Sequence, residues 1–450
     1  MVRPRWKTGL NLAGWLLVSL LLKGSSAPPL RTLALGNLPI VPQWASPWMA
    51  QLSAPDTIAA DILQSSINGL SAAGLPAMAQ GVAVLAGGST VAQHQGAVPL
   101  PAASLTKLAV TLAALQTWEA SHQFETLVGV TGPVENGVVR GDLVVRASQD
   151  PFFVWEEAIA LANALQQAGI QQVEGNLIIL GDFAMNFSGS PRESAALLKQ
   201  GMDGAQWPAE ANQQYSTLSP GTPVPQLKIN GGVQVLPLSA EADLGPVWVV
   251  SHRSLPVAAL LKAMNIYSNN AMADRMAQAV GGPSAVVDQV IAATGLPAGE
   301  IRLINGSGLG EGNQISPRGV VAIMVAMQRS LQSTDYTVAD LMPVIGRETG
   351  TLRGRNLPLG SAMKTGSLNT VSSLAGVFAT RDRGLVWFAI LNRGQNLDGL
   401  RVRQDQLINA LVQHWGAAES LPAHLRPNIN FAQDPYRLGD PARNQILNQN

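Results

Sequence analysis

Ser104-Leu105-Thr106-Lys107-Leu108-Ala109-Val110-Thr111-Leu112-Ala113-Ala114-Leu115-Gln116-Thr117-Trp118 is the stretch from which the rest of this 450-residue chain is best read. The apolar run over 105–118 predicts a long helix that begins at Ser104. In a first turn, residues three apart share a face, so Lys107 can meet the Ser104 hydroxyl. The unpaired N–H groups of a helix start can also face a developing oxyanion. A serine beside a base in that setting is the beginning of an acyl-transfer site.

The Ser-x-x-Lys spacing by itself is weak, since about one or two copies are expected by chance at average composition. Two occur, Ser104/Lys107 and Ser361/Lys364. The second precedes a β-like segment, where residues i and i+3 point to opposite faces, so Ser104 is preferred. Lys-Thr-Gly also occurs twice. Lys7-Thr8-Gly9 lies in the basic N-terminal segment, whereas Lys364-Thr365-Gly366 begins a strand pair near the C-terminus. Ser-x-Asn occurs three times, at Ser66/Asn68, Ser268/Asn270 and Ser367/Asn369. Only Ser268-Asn269-Asn270 lies between the other two chosen motifs, in the break between two predicted helices. Each feature has a plainer reading, Ser104 as a helix N-cap and Lys364 as a solvated strand end. The ordered set supplies a serine, two lysines, a second hydroxyl and an amide, a full kit for acyl transfer on a substrate that carries a carboxylate. The strand edge at Lys364 offers backbone hydrogen bonds to an extended peptide, and Lys364 with Thr365 can hold a carboxylate.

Composition narrows the classes. Apolar residues make up 46 % of the chain, enough for a large core, and the length suits two or more structural units. Charged residues are 13 %, the net charge is zero, and no basic block of five or more residues occurs. Nucleic acid is therefore not an expected partner, because binding a phosphate backbone needs clustered cations. Lysine is scarce, seven against 22 arginines, and two of the seven fall in the motif set. Cysteine is absent, which excludes disulfides and thiolate metal sites and suits an oxidising compartment. The five histidines have no close metal-ligand spacing and read as ordinary surface or core residues. At the N-terminus, Arg3, Arg5 and Lys7 precede an apolar run over 10–22, the pattern of a secretory signal or short membrane anchor. That run is short of the ~20 residues a spanning helix needs.

Along the chain, 28–55 is rich in Pro and Ser and reads as a linker. A helix over 57–73 capped by Asp56 and a hairpin over 81–86 and 89–95 turning at Gly87-Gly88 come next. From 126 to 245 short β-like runs recur around one helix over 155–168, and the region reads as a mostly β insertion. A strand near 247–251 resumes the host domain, with helices over 256–265, 271–280, 283–294 and 317–332. Strands over 361–366, 372–380 and 385–393 and a helix over 402–415 follow. The Pro-, Asn- and Gln-rich segment after 420 reads as a tail.

In this order the motifs resemble those of the class C low-molecular-mass penicillin-binding proteins, the D-Ala-D-Ala carboxypeptidases of peptidase family S13. The resemblance spans roughly 56–415. Gly141-Asp142-Leu143 with Asp150-Pro151 resembles the family's Gly-Asp-Leu … Gly-Asp-Pro run, and Gly175-Asn176-Leu177 to Asp182 its next β segment. Asn305-Gly306-Ser307-Gly308-Leu309 with Ile315-Ser316-Pro317 resembles Asp-Gly-Ser-Gly-Leu … Ile-Ser-Pro, and Gly350-Thr351-Leu352 with Arg355 also matches. Class A β-lactamases carry a far shorter gap than the one between Ser104 and Ser268. Three features depart from the family. Asn305 replaces an acidic residue, Gly310-Glu311-Gly312 replaces a stretch that commonly carries Ser-Arg, and the insertion is shorter. These bear on substrate length and endopeptidase action rather than on the basic chemistry.

The resemblance implies a mixed α/β (α+β) fold, a penicillin-binding transpeptidase-like domain in which helices flank an antiparallel sheet. The expected organisation is a signal or anchor over 1–27, a linker over 28–55, a catalytic domain over 56–125 plus 246–419, a mostly β insertion over 126–245 and a tail over 420–450. It implies that Ser104 is the nucleophile and that Lys107 is its base, with a pKa lowered beside Lys364. Ser268 relays a proton to the leaving amine, and Asn270 orients the substrate amide and Lys107. Lys364 and Thr365 take the terminal carboxylate, with Gly366 and Ser367 alongside, and the N–H groups of Ser104 and Ser367 form the oxyanion hole. No cofactor or metal is implied. The expected partners are peptidoglycan stem peptides and β-lactams as covalent inhibitors, in the periplasm or cell envelope, with weak membrane association through the N-terminus. A serine β-lactamase or esterase on the same scaffold, and a silent peptidoglycan-binding protein, are the competing readings.

Overall fold

The computed structural model describes residues 56–447. The expected targeting segment and linker over 1–55, like the last three residues, lie outside the described residues. Helix α1 (Thr57–Ala72) starts at Asp56, whose carboxylate accepts from the Ala59 N–H at 3.0 Å. Strands β1 (Gln80–Ala86) and β2 (Ser89–His94) form the expected hairpin. Gly87 and Gly88 turn it with φ of 56° and 83°, as a two-residue primed turn requires. Helix α2 (Thr106–Thr117) is followed by β3 (Glu125–Val130), β4 (Leu143–Arg146), α3 (Trp155–Gln167), β5 (Leu177–Leu180), α4 (Pro191–Gly201) and β6 (Val233–Leu236). Strand β7 (Val247–Arg253) leads into α5 (Val257–Tyr267), α6 (Asn270–Val280), α7 (Pro283–Thr294) and α8 (Pro317–Ser330). Then come β8 (Ala362–Leu368), β9 (Val371–Thr380), β10 (Gly384–Arg393), α9 (Leu397–Trp415) and β11 (Asn444–Ile446).

The host domain is a five-stranded sheet in the order β8-β9-β10-β1-β2, with every neighbouring pair antiparallel. Helices cover both of its faces, so the inner strands read as continuous apolar runs rather than alternating ones. Alternation decides which core each residue enters. Val82, Val84 and Ala86 of β1 pack with α1 and α9, while Ala83 and Leu85 pack with α2 and the helices around it. Strand β10 divides the same way, Val386, Phe388 and Ile390 to one side and Trp387, Ala389 and Leu391 to the other. Every residue from Thr106 to Ala114 of α2 is buried. A helix that is apolar all round is one enclosed by its neighbours, and α5, α6, α7 and α8 enclose this one. The site therefore hangs from a helix enclosed in the core of the domain.

The insertion has its own core, in which Val128, Val145, Leu177 and Ile179 meet Trp155, Leu161, Leu165 and Leu198. Its main sheet runs β6-β5-β4-β3-β7-β11, with β4, β5 and β6 parallel and the remaining pairs antiparallel. A second small sheet joins 134–135, 138–139, 172–173 and 228–229. Parallel pairs need crossovers, and α3 fills the one between β4 and β5. Together with α4 and a short helix, Ala209–Tyr215, this makes the insertion more helical than the expected mostly β region.

Two expected boundaries move. The exit strand β7 pairs along its length with the entry strand β3, Val247 opposite Val130 through to Arg253 opposite Glu125. It belongs to the insertion rather than to the host domain, so the insertion spans about 125–253. The segment after 420 is more than a tail, because β11 adds a sixth strand beside β7. Next to it the buried Arg443 guanidinium pairs with Glu157 of α3. Neither correction is visible locally, since a strand's partners are set by contacts far away in sequence. No helix among the described residues is long and apolar enough to cross a membrane.

Candidate active site

Ser104 lies in a tight 3₁₀ turn, Ala103–Leu105, that feeds directly into α2. Its side chain caps nothing, so the plain N-cap reading is not what the structure shows. Ala103 holds φ of 49°, a left-handed conformation that costs a non-glycine residue about 1–3 kcal/mol. Gly308 is pressed against that turn, and a Cβ on it would sit 2.0 Å from the Ala103 carbonyl oxygen. Lys107 is fully buried. Its Nζ donates to Ser104 Oγ at 3.1 Å, Asn270 Oδ1 at 2.8 Å and the Ser307 carbonyl at 2.6 Å.

Ser268, Asn269 and Asn270 occupy the junction of α5 and α6, and each has a separate task. Ser268 ends α5 with φ of 52°. Asn269 caps α6 by accepting from the Met272 N–H at 3.0 Å. Asn270, the first residue of α6, reaches Lys107. Across the cleft, the Lys364 Nζ donates to Ser268 Oγ at 2.9 Å and to the Thr365 carbonyl at 2.7 Å. Thr365 donates to Thr351 Oγ1 at 2.7 Å. Gly366 lies flat on the nucleophile turn, where a Cβ would come within 2.8 Å of the Ser104 nitrogen. Ser367 is exposed, and its Oγ accepts from the Arg401 guanidinium of α9 at 3.1 Å. All three motifs thus meet at one place. Of the other copies, Ser361 is buried at the entry to β8, Ser66/Asn68 lies in α1, and Lys7 lies outside the described residues.

A family model described as "D-Ala-D-Ala carboxypeptidase 3 (S13) family" matches residues 68–187 and 227–414, well over half of the chain. This chain belongs to the S13 family. It is 23 % identical over 390 residues to the D-alanyl-D-alanine carboxypeptidase DacB of Haemophilus influenzae, with 65 % of this chain and 80 % of the relative covered. Among solved structures it resembles a penicillin G-acylated predatory endopeptidase of Bdellovibrio bacteriovorus in complex with an immunity protein. The TM-score is 0.66 and the identity 21 %, over 76 % of this chain and 94 % of the other. Penicillin-binding protein 4 of Haemophilus influenzae, complexed with a β-lactam, matches with a TM-score of 0.57 and 18 % identity, over 78 % of this chain and the whole of the other.

The electrostatics of this S13 site turn on its two buried lysines. Burial lowers the Lys107 pKa to about 8, with the Asp274 carboxylate pulling the other way. Burial, and then repulsion from Lys107, drives Lys364 well below its ordinary value. The sequence reading assigned the lowering of Lys107 to Lys364, whereas burial is its main cause and the mutual repulsion is felt by Lys364. Burial and mutual repulsion both disfavour two ammonium groups in one dry site, and both act on Lys364. The Lys364 Nζ thus faces Ser268 at the junction of α5 and α6.

A third buried lysine, Lys262 of α5, pairs with Glu348 at 3.0 Å and donates to the Ala339 carbonyl at 2.7 Å. It ties down the segment before β8 and takes no part in the site. Sequence reasoning passed over Asp274 and Arg401. Asp274 had a signal, because it lies one helical turn beyond Asn270 and so shares its face. Arg401 had none, since only the packing of α9 against β9 brings it to Ser367. The departures from the family are also placed. Asn305 Oδ1 accepts from the Gly308 N–H at 2.8 Å, so an acceptor persists there without the charge. Glu311 accepts from Thr370 Oγ1 at 2.6 Å and from the Arg393 guanidinium at 2.5 Å, tying its loop to the sheet.

Proposed function

We propose that this chain is a serine-type D-Ala-D-Ala carboxypeptidase that cleaves the terminal peptide bond of peptidoglycan stem peptides through an acyl-enzyme on Ser104. The observation that carries the reading is the surroundings of Lys107. An amine nitrogen has four tetrahedral positions, one of which is its own carbon. Asn270 Oδ1 and the Ser307 carbonyl accept two of the N–H bonds. The remaining direction points at Ser104 Oγ. When Lys107 loses its proton, the lone pair faces the nucleophile's hydroxyl, the geometry of a general base.

Ser104 Oγ attacks the penultimate carbonyl carbon while its proton passes to Lys107. The N–H groups of Ser104 and Ser367 stabilise the oxyanion. The tetrahedral intermediate collapses, the peptide C–N bond breaks, and the Ser268 hydroxyl passes a proton to the leaving amine. Lys364 holds Ser268 in place, and the proton that Ser104 gave to Lys107 replaces the one Ser268 loses, which leaves Lys107 neutral again. Water then attacks the ester with Lys107 again as base, releasing the shortened peptide and restoring Ser104. Thr365 and Ser367 offer hydroxyls to the substrate's carboxylate. Asn270 orients the substrate amide, and Gly366 lets the strand lie close to the nucleophile. Cross-links present the same bond with a larger leaving amine, so DD-endopeptidase action is open to the same chemistry. β-Lactams, which mimic D-Ala-D-Ala, acylate Ser104. The basic and apolar N-terminus supports a periplasmic or envelope location.

Intact-protein mass spectrometry after incubation with benzylpenicillin tests the acyl-enzyme. A stable adduct that disappears in Ser104→Ala is expected. An adduct that persists in that variant rejects the nucleophile, and rapid loss of the adduct turns the reading toward a β-lactamase or esterase. Product analysis on cross-linked and uncross-linked muropeptides divides carboxypeptidase from endopeptidase action. No turnover of either would leave a wall-binding protein.

A further inference from the structure

Residue 307 is held from both sides. Its N–H donates to Asp274 Oδ1 at 2.7 Å, and its carbonyl accepts from Lys107 Nζ at 2.6 Å. The glycines on either side explain how it gets there. A Cβ on Gly306 would meet the Ala273 carbonyl oxygen at 2.3 Å and Ala277 Cβ at 2.7 Å on α6. A Cβ on Gly308 would meet the turn that carries Ser104. The Gly306-Ser307-Gly308 segment is thus a wedge driven between α6 and the nucleophile turn, and Ser307 is almost wholly buried in it. Helix α6 therefore reaches Lys107 twice from one face, directly through Asn270 and one turn later through Asp274 and Ser307.

The charges around Lys107 are few. Strand β8 contributes Lys364 and α6 contributes Asp274. Helix α5 turns Lys262 away to Glu348. Helices α7 and α8 meet α2 through apolar residues such as Val286, Val290, Val320 and Met324. Asp274 itself is exposed, and the group it meets is the N–H of the buried Ser307.

We propose that Asp274 is the positioning residue of the catalytic base, clamping Ser307 so that its carbonyl holds Lys107 on Ser104 and supplying the counter-charge to the lysine ammonium. This rests on the acyl-enzyme reading above. It has an unusual consequence. The carboxylate stabilises the charged, non-basic form of Lys107, so removing the charge makes the base available at lower pH.

Asp274→Asn keeps an acceptor for the Ser307 N–H and removes only the charge. The measurement is the rate of Ser104 acylation by benzylpenicillin across pH 5–10 in wild type, Asp274→Asn, Asp274→Glu and Asp274→Ala. The rising limb is expected to move down by about half a unit or more in Asp274→Asn, and to return toward the wild-type position in Asp274→Glu. Asp274→Ala, which also frees Ser307, is expected to show the same shift with a plateau lowered about tenfold or more. A limb that stays in place in Asp274→Asn, or a uniform slowing or loss of folding in that variant, overturns the proposal by making the carboxylate merely structural. Failure of the wild type to acylate at any pH would instead count against the proposed function.

Discussion

At the scale of single residues, the site works by removing options. Lys107 has two of its hydrogens committed to fixed acceptors, which leaves Ser104 as the only group its third position meets. Its base form is the neutral amine, and its pKa is lowered to about 8. Acylation is therefore expected to rise with pH through about 8 and to fall tenfold per unit below it, as stopped-flow acylation with a chromogenic β-lactam would record. At pH 7 roughly a tenth of the lysine is in the active form. Lys107→Ala is expected to lower the acylation rate by ~10²–10⁴-fold and to abolish that pH limb; near-normal acylation with the limb intact would reject its role. The motif residues were legible in the sequence because chemistry and order are local properties. Ser307, whose carbonyl accepts from Lys107, and Arg401 were not, because each acts through a neighbour that only folding supplies, and the helical spacing of Asp274 from Asn270 marked its face but not its partner.

At the scale of elements, the close approaches are made by glycines. The strand bearing Gly366 and the loop bearing Gly308 both press on the turn that carries Ser104. Gly308 has φ of 84° as well as a carbonyl oxygen where its Cβ would go. Gly308→Ala is expected to displace the Ala103–Leu105 turn and to lower acylation by more than ~10²-fold, since a shift of about 1 Å in a catalytic group has that effect. Circular dichroism should show the helices and sheets unchanged; full activity in that variant would mean the turn tolerates the shift. The helices and the C-terminal strands were readable from periodicity and turn residues. The turn before α2 was not, because a 3₁₀ turn with Ala103 in a left-handed conformation leaves no compositional mark.

At the scale of the molecule, the C-terminal segment joins the insertion that lies between the two parts of the host domain. Strand β11 pairs with β7, and Arg443 meets Glu157 with both side chains almost wholly buried. The Gly439 N–H donates to the same carboxylate oxygen of Glu157. Arg443→Met is expected to leave a buried, unpaired carboxylate and to destabilise the insertion by about 3–5 kcal/mol. Thermal unfolding should show that loss, while the folded fraction should still acylate with benzylpenicillin, because the nucleophile hangs from a different core. Unchanged stability would mean that Glu157 finds another partner.

The sequence by itself determined which residue types stand in the site and in what order, because a serine, its neighbouring lysine, a second serine with an amide and a strand edge are properties of residue types and their spacing. It also determined most of the elements, because burial imprints a period of 3.6 or 2 on the chain. Only the tertiary structure decided that β7 and β11 close the sheet of the insertion, that Lys364 faces inward on Ser268, and that Asp274 reaches the base through Ser307. These depend on which distant segments pack together, and burial, not any local pattern, then sets how tightly each lysine holds its proton.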